Sequence, residues 1–162
     1  MSRERQDLLS RGALGVFRLN GQFLGVAEEL ARPSGLTAAW WQVLGAVLSE
    51  PLPVSGIARA MGITRQSVQR IADLLVGKGL AEYRPNPAHR RAKLLAPTER
   101  GRAAVARIDP GHAAFADRLA EAYGEAELAE AVRLLERLSK VLEKLEPPAP
   151  EPAAAAVPVM EP

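Results

Sequence analysis

The sequence contains no cysteine, only two histidines, and an aromatic fraction of 4%. The absence of cysteine excludes a disulfide framework, a thiol redox sensor and a thiolate zinc site, and His89 and His112 alone do not favour an imidazole-rich metal site. No run of about 18 apolar residues occurs, and no apolar stretch follows the charged N-terminus, so neither a membrane span nor a secretory signal is visible. We therefore expect a cytoplasmic protein without a metal or other cofactor.

Signatures of catalysis are also missing. The chain has no nucleophile elbow, phosphate-binding glycine loop or dinucleotide fingerprint, and its histidines fall in a predicted turn and beside a predicted helix break. We predict that the protein is not an enzyme. A chain of 162 residues, 48% of them hydrophobic, has the size of one domain with one core.

The net charge of +2 is distributed unevenly along the chain. Residues 1–53 carry five basic and five acidic residues, whereas residues 54–102 carry ten and three, a net charge of +7. Residues 103–162 carry six and eleven, a net charge of −5. The basic middle region suits a polyanionic partner because Lys and Arg neutralise phosphates, although a solvated basic surface would give the same pattern.

Apolar residues recur at helical spacing through most of the chain and predict a mainly α-helical protein. Thr37 and Thr64 are the predicted N-caps of the second and fourth helices, and Gly62 supplies the left-handed backbone that closes the third. Pro110 and Gly111 predict a kink or break between residues 108 and 111. The predicted helices cover residues 8–31, 38–49, 55–61, 65–77, 98–123 and 125 onward.

The third and fourth helices, joined by a tight turn at Gly62 and Ile63, form a predicted helix-turn-helix. The strand LAEYR, the polar turn PNPAHRRA and the returning strand KLLAPT follow it. A basic hairpin after a helix-turn-helix is typical of a winged helix, in which the hairpin is called the wing. Arg90 and Arg91 lie in the wing turn, where they suit a narrow minor groove of enhanced negative potential.

The fourth helix has an apolar side that burial explains and a polar side that requires another explanation. Major-groove readout uses the N-terminal part of a recognition helix, with Arg or Lys paired to guanine and Gln or Asn paired to adenine. Gln66, Gln69 and Arg70 are such side chains at that end. The alternative for each is a solvated polar position. The neighbours predicted to hold phosphates and set the register are Thr64, Arg65 and Ser67.

The last helix carries apolar residues three and four positions apart, which predicts a seam for another helix. The seam consists of Leu128, Ala131, Leu135, Leu138, Leu142 and Leu145. It faces either the first helix of the same chain or a second copy of the chain. We favour a two-fold dimer built from the first and last helices, with the recognition helices about 34 Å apart. Residues 147–162 are rich in Pro and Ala and are expected to be disordered.

The segments LTAAWWQVL and PVSGIARAMGITRQSVQRIADLLVGKGLAEYRPNPAHRRAKLLAPTERG resemble the multiple antibiotic resistance regulator (MarR) family of winged-helix transcription factors. The resemblance covers the whole chain except the tail. It implies a mainly α fold with a small β-hairpin wing, in which residues 37–102 form the winged helix-turn-helix and residues 1–36 and 103–146 supply dimerisation helices. It also implies a homodimer that binds double-stranded DNA at a pseudo-palindromic operator. Members commonly repress transcription and are released by a small, often aromatic, ligand.

The resemblance implies roles for individual residues as well. Gln66 and Arg70 match recognition-helix positions, and Arg90 matches the wing arginine expected in the minor groove. Asp73 matches an acidic position expected to brace the wing through an arginine, for which Arg91 is the expected partner.

The wing departs from the family pattern at two positions. His89 precedes the arginines, and Asn86 stands where an acid is frequent. This loss of negative charge raises the expected attraction of the wing to phosphate. The alternative for His89 is an exposed loop residue without a role.

Aromatic residues suggest a ligand pocket between the helical base and the DNA-binding part, where ligands of similar proteins bind. The alternative is that they are simply core residues. A second open alternative is a winged helix used for protein contacts or nonspecific DNA binding, because a fold does not dictate its use. The candidate pocket residues are Phe17, Trp40, Trp41, Phe115 and Tyr123.

Overall fold

A computed structural model describes residues 2–145 of the chain. It confirms the predicted fold class, a mainly α-helical protein with a small antiparallel sheet. None of the helices in these residues is both long and apolar enough to cross a membrane. The helices are α1 (Ser2–Ala31), α2 (Ala38–Ala46), α3 (Val54–Met61), α4 (Arg65–Gly77), α5 (Glu99–Ala106), α6 (Asp109–Tyr123) and α7 (Glu125–Lys144). The strands are β1 (Leu52–Pro53), β2 (Ala81–Arg84) and β3 (Leu94–Pro97).

The chain divides into two compact units, Met1–Phe115 and Ala116–Pro162. The first unit contains α1 to α5, the sheet and the start of α6, and the second contains the rest of α6 and α7. The four predicted segments remain a prediction, and the tail predicted to be disordered, residues 147–162, lies outside the described residues.

A single apolar core holds the first unit together. It is built from one side each of α2, α3, α4 and α5 and from the central strand β3. Burial of such apolar side chains is the dominant favourable term in folding. The largest fully buried side chains are Val43, Leu44, Val47, Ile57, Val68, Leu75, Leu95 and Ile108. The core therefore fixes the position of α4 through the apolar side of the helix, and the polar side lies outside the core.

Local sequence signals set the ends of the helices. The Trp40 N–H donates to Thr37 Oγ1 at 3.2 Å, and the Ser67 N–H donates to Thr64 Oγ1 at 3.2 Å, so both predicted N-caps are confirmed. Gly62 closes α3 with a φ of 67°, as predicted. Two helix ends differ from the prediction by more than one residue: α1 begins at residue 2 rather than 8, and α2 ends at residue 46 rather than 49.

The sheet has the strand order β1-β3-β2, and both pairs of strands are antiparallel. The predicted hairpin is confirmed, with Tyr83 opposite Leu95. Strand β1 was not predicted because it is two residues long and contains a proline, which lacks a backbone N–H. Pro53 is tolerated because β1 is an edge strand that pairs only with β3.

The predicted break near Pro110 is confirmed. Helix α5 ends at Ala106 and α6 begins at Asp109, and the Ile108 N–H between them donates to the Val105 carbonyl at 2.8 Å. Pro110 lies in the first turn of α6, where its missing N–H would have had no partner in the helix. Ile108 is buried in the core, which anchors the break.

Candidate nucleic-acid interface

Helix α4 presents a polar surface opposite the core. Its apolar side is buried through Val68, Ile71, Ala72 and Leu75, as the sequence predicted. On the other side, Gln66, Gln69 and Arg70 are all exposed. The side chains suited to base contact are thus held on a helix whose position is fixed by burial.

The N-terminus of α4 offers donors to an anion. The first hydrogen bond between backbone groups of α4 runs from the Val68 N–H to the Thr64 carbonyl at 3.1 Å. The N–H groups of Arg65 and Gln66 therefore have no backbone partner in the helix. Thr64 Oγ1 donates to Ser67 Oγ at 2.9 Å, which occupies the threonine hydroxyl and leaves the serine proton available. Together with the exposed Arg65 guanidinium, these groups can hold a phosphate.

The wing turn is closed by Asn86. Its Oδ1 accepts from the Ala88 N–H at 3.0 Å, and its carbonyl accepts from the His89 N–H at 3.2 Å. Asn86 therefore closes the turn with its neutral side-chain amide, without the negative charge that an acidic residue would bring. Beyond it, Arg90 and Arg91 are exposed.

A cleft of about 560 Å³ connects the polar side of α4 with the wing. Arg65, Gln66 and Gln69 line it from α4, and Arg91 and Lys93 line it from the wing. Two parts of the chain that are far apart in sequence therefore open onto one cationic surface. Arg70 lies on a separate shallow depression of about 490 Å³, together with Asp73 and Lys78.

Asp73 links α4 to the wing, but not through the predicted Arg91. Its Oδ1 accepts from the Tyr83 hydroxyl at 2.5 Å and from Gln69 Nε2 at 3.0 Å. Gln69 Nε2 also donates to the Tyr83 oxygen at 2.9 Å. The predicted Arg91 pairing is wrong because strand β2 brings the tyrosine to this carboxylate, whereas Arg91 lines the cleft. We call Gln69, Asp73 and Tyr83 the helix–wing triad.

Sequence reasoning missed Tyr83 and Lys93. Lys93 Nζ lies 5.9 Å from the centre of the Tyr83 ring, so the two side chains pack together on the wing. A signal was available for the tyrosine: in a strand, Ala81 and Tyr83 point to the same face, and a buried Ala81 directs Tyr83 toward the helices. Its hydrogen-bond partner could only be found from the packed structure.

The phenol of Tyr83 is harder to ionise than an ordinary tyrosine. Burial, followed by the hydrogen bond and the charge of Asp73, raises the pKa of Tyr83 from 10.0 to about 12. Between these two pH values the folded state keeps a proton that the unfolded state has lost. The stability contributed by this group is therefore fully present below pH 10 and is lost as the pH rises toward 12.

We expect this shift to be visible in the ultraviolet absorbance of phenolate. The difference between the titrations of wild type and Tyr83→Phe should have its midpoint near pH 12. Asp73→Asn should lower that midpoint only in part, because burial is the larger cause. The exposed Tyr123 provides the control, since Tyr123→Phe should leave the high-pH step in place. A midpoint near pH 10 for Tyr83 would contradict the triad.

The candidate pocket aromatics have different surroundings, and the pocket remains a prediction. Lys78 Nζ lies 5.3 Å from the centre of the Trp40 ring, and Trp41 meets His112 edge-on at 5.5 Å between ring centres. Within the first unit, Phe115 is half-buried and Phe17 is exposed on α1. Tyr123, in the second unit, is exposed.

The chain is similar to several proteins in other organisms. A relative from Mycobacterium tuberculosis, the uncharacterised protein Rv2011c, is 42% identical over 122 residues, which are 75% of this chain and 85% of the relative. A MarR-family transcriptional regulator from Rhodococcus sp. RHA1 is 27% identical, with a TM-score of 0.65, over 81% of this chain and 94% of that one.

The third similar protein is the transcriptional repressor CouR of Rhodococcus jostii RHA1, solved with a 23-mer DNA duplex. It is 28% identical, with a TM-score of 0.68, over 77% of this chain and 89% of that one. CouR has also been solved with p-coumaroyl-CoA. The family model of MarR matches residues 34–92, which include α2, α3, α4, β2 and the wing turn. On this match and this fold, the chain belongs to the MarR family of transcription regulators.

Proposed function

We propose that this protein is a homodimeric transcriptional repressor that binds a pseudo-palindromic operator sequence-specifically and is released by a small aromatic ligand. In this proposal Gln66, Gln69 and Arg70 contact base edges in the major groove. Arg90 enters the adjacent minor groove, and Arg91 faces the cleft next to the DNA backbone. The residues proposed to bind phosphate are Thr64, Arg65 and Ser67.

One observation carries the proposal. Arg65, Gln66 and Gln69 of α4 line the same cleft as Arg91 and Lys93 of the wing, so a single polyanion can contact both elements. A major groove admits a helix, and the phosphates that border it would lie against the cationic cleft. CouR, which shares the fold, is a repressor solved on a DNA duplex, and this supports the same use of the surface here.

Dimerisation is supported by apolar side chains that the described chain leaves exposed. On α7, Leu138 and Leu142 are 48% and 56% exposed, and on α1 Phe17 is 69% exposed. Two helices with such apolar stripes gain free energy when a second copy covers them. Two-fold symmetry then gives two recognition helices for the two halves of a palindrome.

Arg70 and Arg65 should differ in their effects on DNA binding. Arg70→Ala is expected to cost about 1–3 kcal/mol and to relax the preference at one base position, because a base contact is lost. Arg65→Ala should weaken the binding of all sequences alike, since a phosphate contact carries no sequence information. Titration of each variant with the operator and with single-base variants measures both effects. Identical base preferences in wild type and Arg70→Ala would defeat the assignment.

Salt dependence separates this proposal from a winged helix used for protein contacts. Binding that neutralises several phosphates must weaken steeply between low and moderate salt, because condensed counterions are released. The experiment is a titration of labelled duplex DNA at two salt concentrations. Affinity that does not change with salt would favour the protein-binding alternative, and equal affinity for operator and scrambled DNA would favour nonspecific binding.

Release by a ligand requires unequal affinity of the ligand for the DNA-competent and DNA-incompetent dimers. CouR, solved with both DNA and p-coumaroyl-CoA, supports an aromatic effector for this chain. Trp40 and Trp41 are half-buried on α2 and would report binding by fluorescence. Aromatic acids that leave both the fluorescence and the operator affinity unchanged would remove this part of the proposal.

A further inference from the structure

We propose that Asp73 and Tyr83 are positioning residues that hold the Gln69 carboxamide in one orientation, so that Gln69 selects adenine over guanine at one position of each half-site. This inference rests on the proposed function, because it concerns how the DNA-binding surface discriminates between bases. It assigns to the wing a part in major-groove recognition.

The chemistry of the triad fixes which end of the amide faces the wing. An ionised carboxylate can only accept hydrogen bonds, and Asp73 Oδ1 already takes the Tyr83 proton at 2.5 Å. Both oxygens that face Gln69 are therefore acceptors. The amide nitrogen must lie toward them, at 3.0 Å from Asp73 Oδ1 and 2.9 Å from the Tyr83 oxygen. The carbonyl oxygen consequently points away from both.

One hydrogen of the Gln69 amide can serve both acceptors. The Asp73 and Tyr83 oxygens are 2.5 Å apart, so from Nε2 they lie in similar directions, whereas the two N–H bonds of an amide diverge widely. The second N–H and the carbonyl remain for an external partner. The exposed Gln69 side chain therefore presents one N–H donor and one carbonyl acceptor in a fixed order.

That order favours adenine over guanine. In the major groove adenine presents the N6 amino donor beside the N7 acceptor, whereas guanine presents two acceptors, O6 and N7. A free glutamine can rotate its amide and offer hydrogen to guanine, but a held amide keeps its carbonyl in place. Among the described side chains none forms a hydrogen bond with Gln66. Gln66 therefore serves for comparison as a glutamine whose amide can rotate.

The first experiment measures base preference. Wild type, Gln69→Ala and the double variant Asp73→Ala/Tyr83→Phe are titrated with the selected operator and its single-base variants. Gln69→Ala identifies the position that Gln69 contacts by removing the preference there. We expect wild type to prefer adenine to guanine at this position by at least about tenfold, and the double variant Asp73→Ala/Tyr83→Phe, which lacks both acceptors of the Gln69 amide, to retain only about threefold. Preferences at the other positions should stay as in wild type.

Two results of this experiment would overturn the inference. One is an unchanged preference in the double variant Asp73→Ala/Tyr83→Phe. The other is an equal loss of affinity for every sequence, which would mean that the two residues only support the wing. Failure of the proposed function is recognised separately, because wild type would then select no motif at all.

The second experiment needs no DNA. In the free protein, hydrogen exchange of the Gln69 side-chain amide, followed by NMR, should be slower than that of Gln66. In the double variant Asp73→Ala/Tyr83→Phe the two rates should become similar. Equal rates in wild type would show that the amide is not held in solution and would overturn the inference even if the protein binds its operator specifically.

Discussion

Leu138→Glu is expected to be monomeric at concentrations at which the wild type is a dimer. Leu138 lies in the seam of α7 and is 48% exposed in the described chain, so the substitution should cost the protomer little. In a two-fold interface the residue occurs twice. Losing the burial of two leucine side chains at about 1.5 kcal/mol each weakens the dimer by about 3 kcal/mol, or roughly 100-fold. Two buried carboxylates would add to that loss.

Sedimentation equilibrium measures the dissociation constant of the dimer, and titration measures operator binding. Ala129→Glu is the matched control, because Ala129 is exposed and lies on α7 away from the seam. The substitution adds the same single charge as Leu138→Glu. The control should remain dimeric and bind the operator as wild type does. A Leu138→Glu protein that stays dimeric would contradict the proposed interface, and a monomer that keeps full operator affinity would contradict the need for two half-sites.

Gly101→Ala is expected to destabilise the protein by about 3 kcal/mol or more. A Cβ atom at this position would lie 1.9 Å from the Leu80 carbonyl oxygen, which is a backbone atom, and 3.4 Å from Leu44 Cδ2. The neighbouring contacts leave little room for a shift. Thr98 donates from its N–H to the Leu80 carbonyl at 3.1 Å and from its hydroxyl to the Gly79 carbonyl at 2.7 Å. Moving α5 away from the end of α4 would break these bonds.

The test is urea unfolding at a fixed protein concentration, since dimer formation makes apparent stability depend on concentration. Gly45→Ala is the control within the same unit, because Gly45 lies in α2 and a Cβ atom added there would meet no neighbouring group within 4 Å. It should leave stability unchanged or raise it by up to about 1 kcal/mol. An unfolding midpoint of Gly101→Ala equal to that of wild type would contradict the packing described between α5 and Leu80.

Local signals were sufficient to predict much of the fold. A threonine N-cap and a glycine with positive φ, such as Gly62, set helix ends only a few residues away. The helix-turn-helix could therefore be predicted from its own segment of the sequence. Pro110 likewise marks its own break. Strand β1 could not be found this way, because two residues around a proline form a strand only when β3 is beside them.

The candidate interface was predictable in composition but not in its connections. Glutamines and arginines in the first turns of α4 identified the surface, and the basic turn identified the wing. The partner of Asp73 depends on how β2 packs on α4, and the structure replaces the expected arginine by Tyr83. The sequence prediction missed the first turns of α1 because these residues lack an apolar pattern. The helix extends through them because Arg, Glu and Gln are good helix formers.

The measurement that tests the central claim most directly is a selection of the wild-type protein on random double-stranded DNA. We predict a palindromic motif whose half-sites are about one turn of DNA apart, near 34 Å, and which binds far more tightly than scrambled DNA. Failure to enrich any motif would contradict sequence-specific recognition by Gln66, Gln69 and Arg70. A motif with a single, unrepeated half-site would contradict the two-fold dimer.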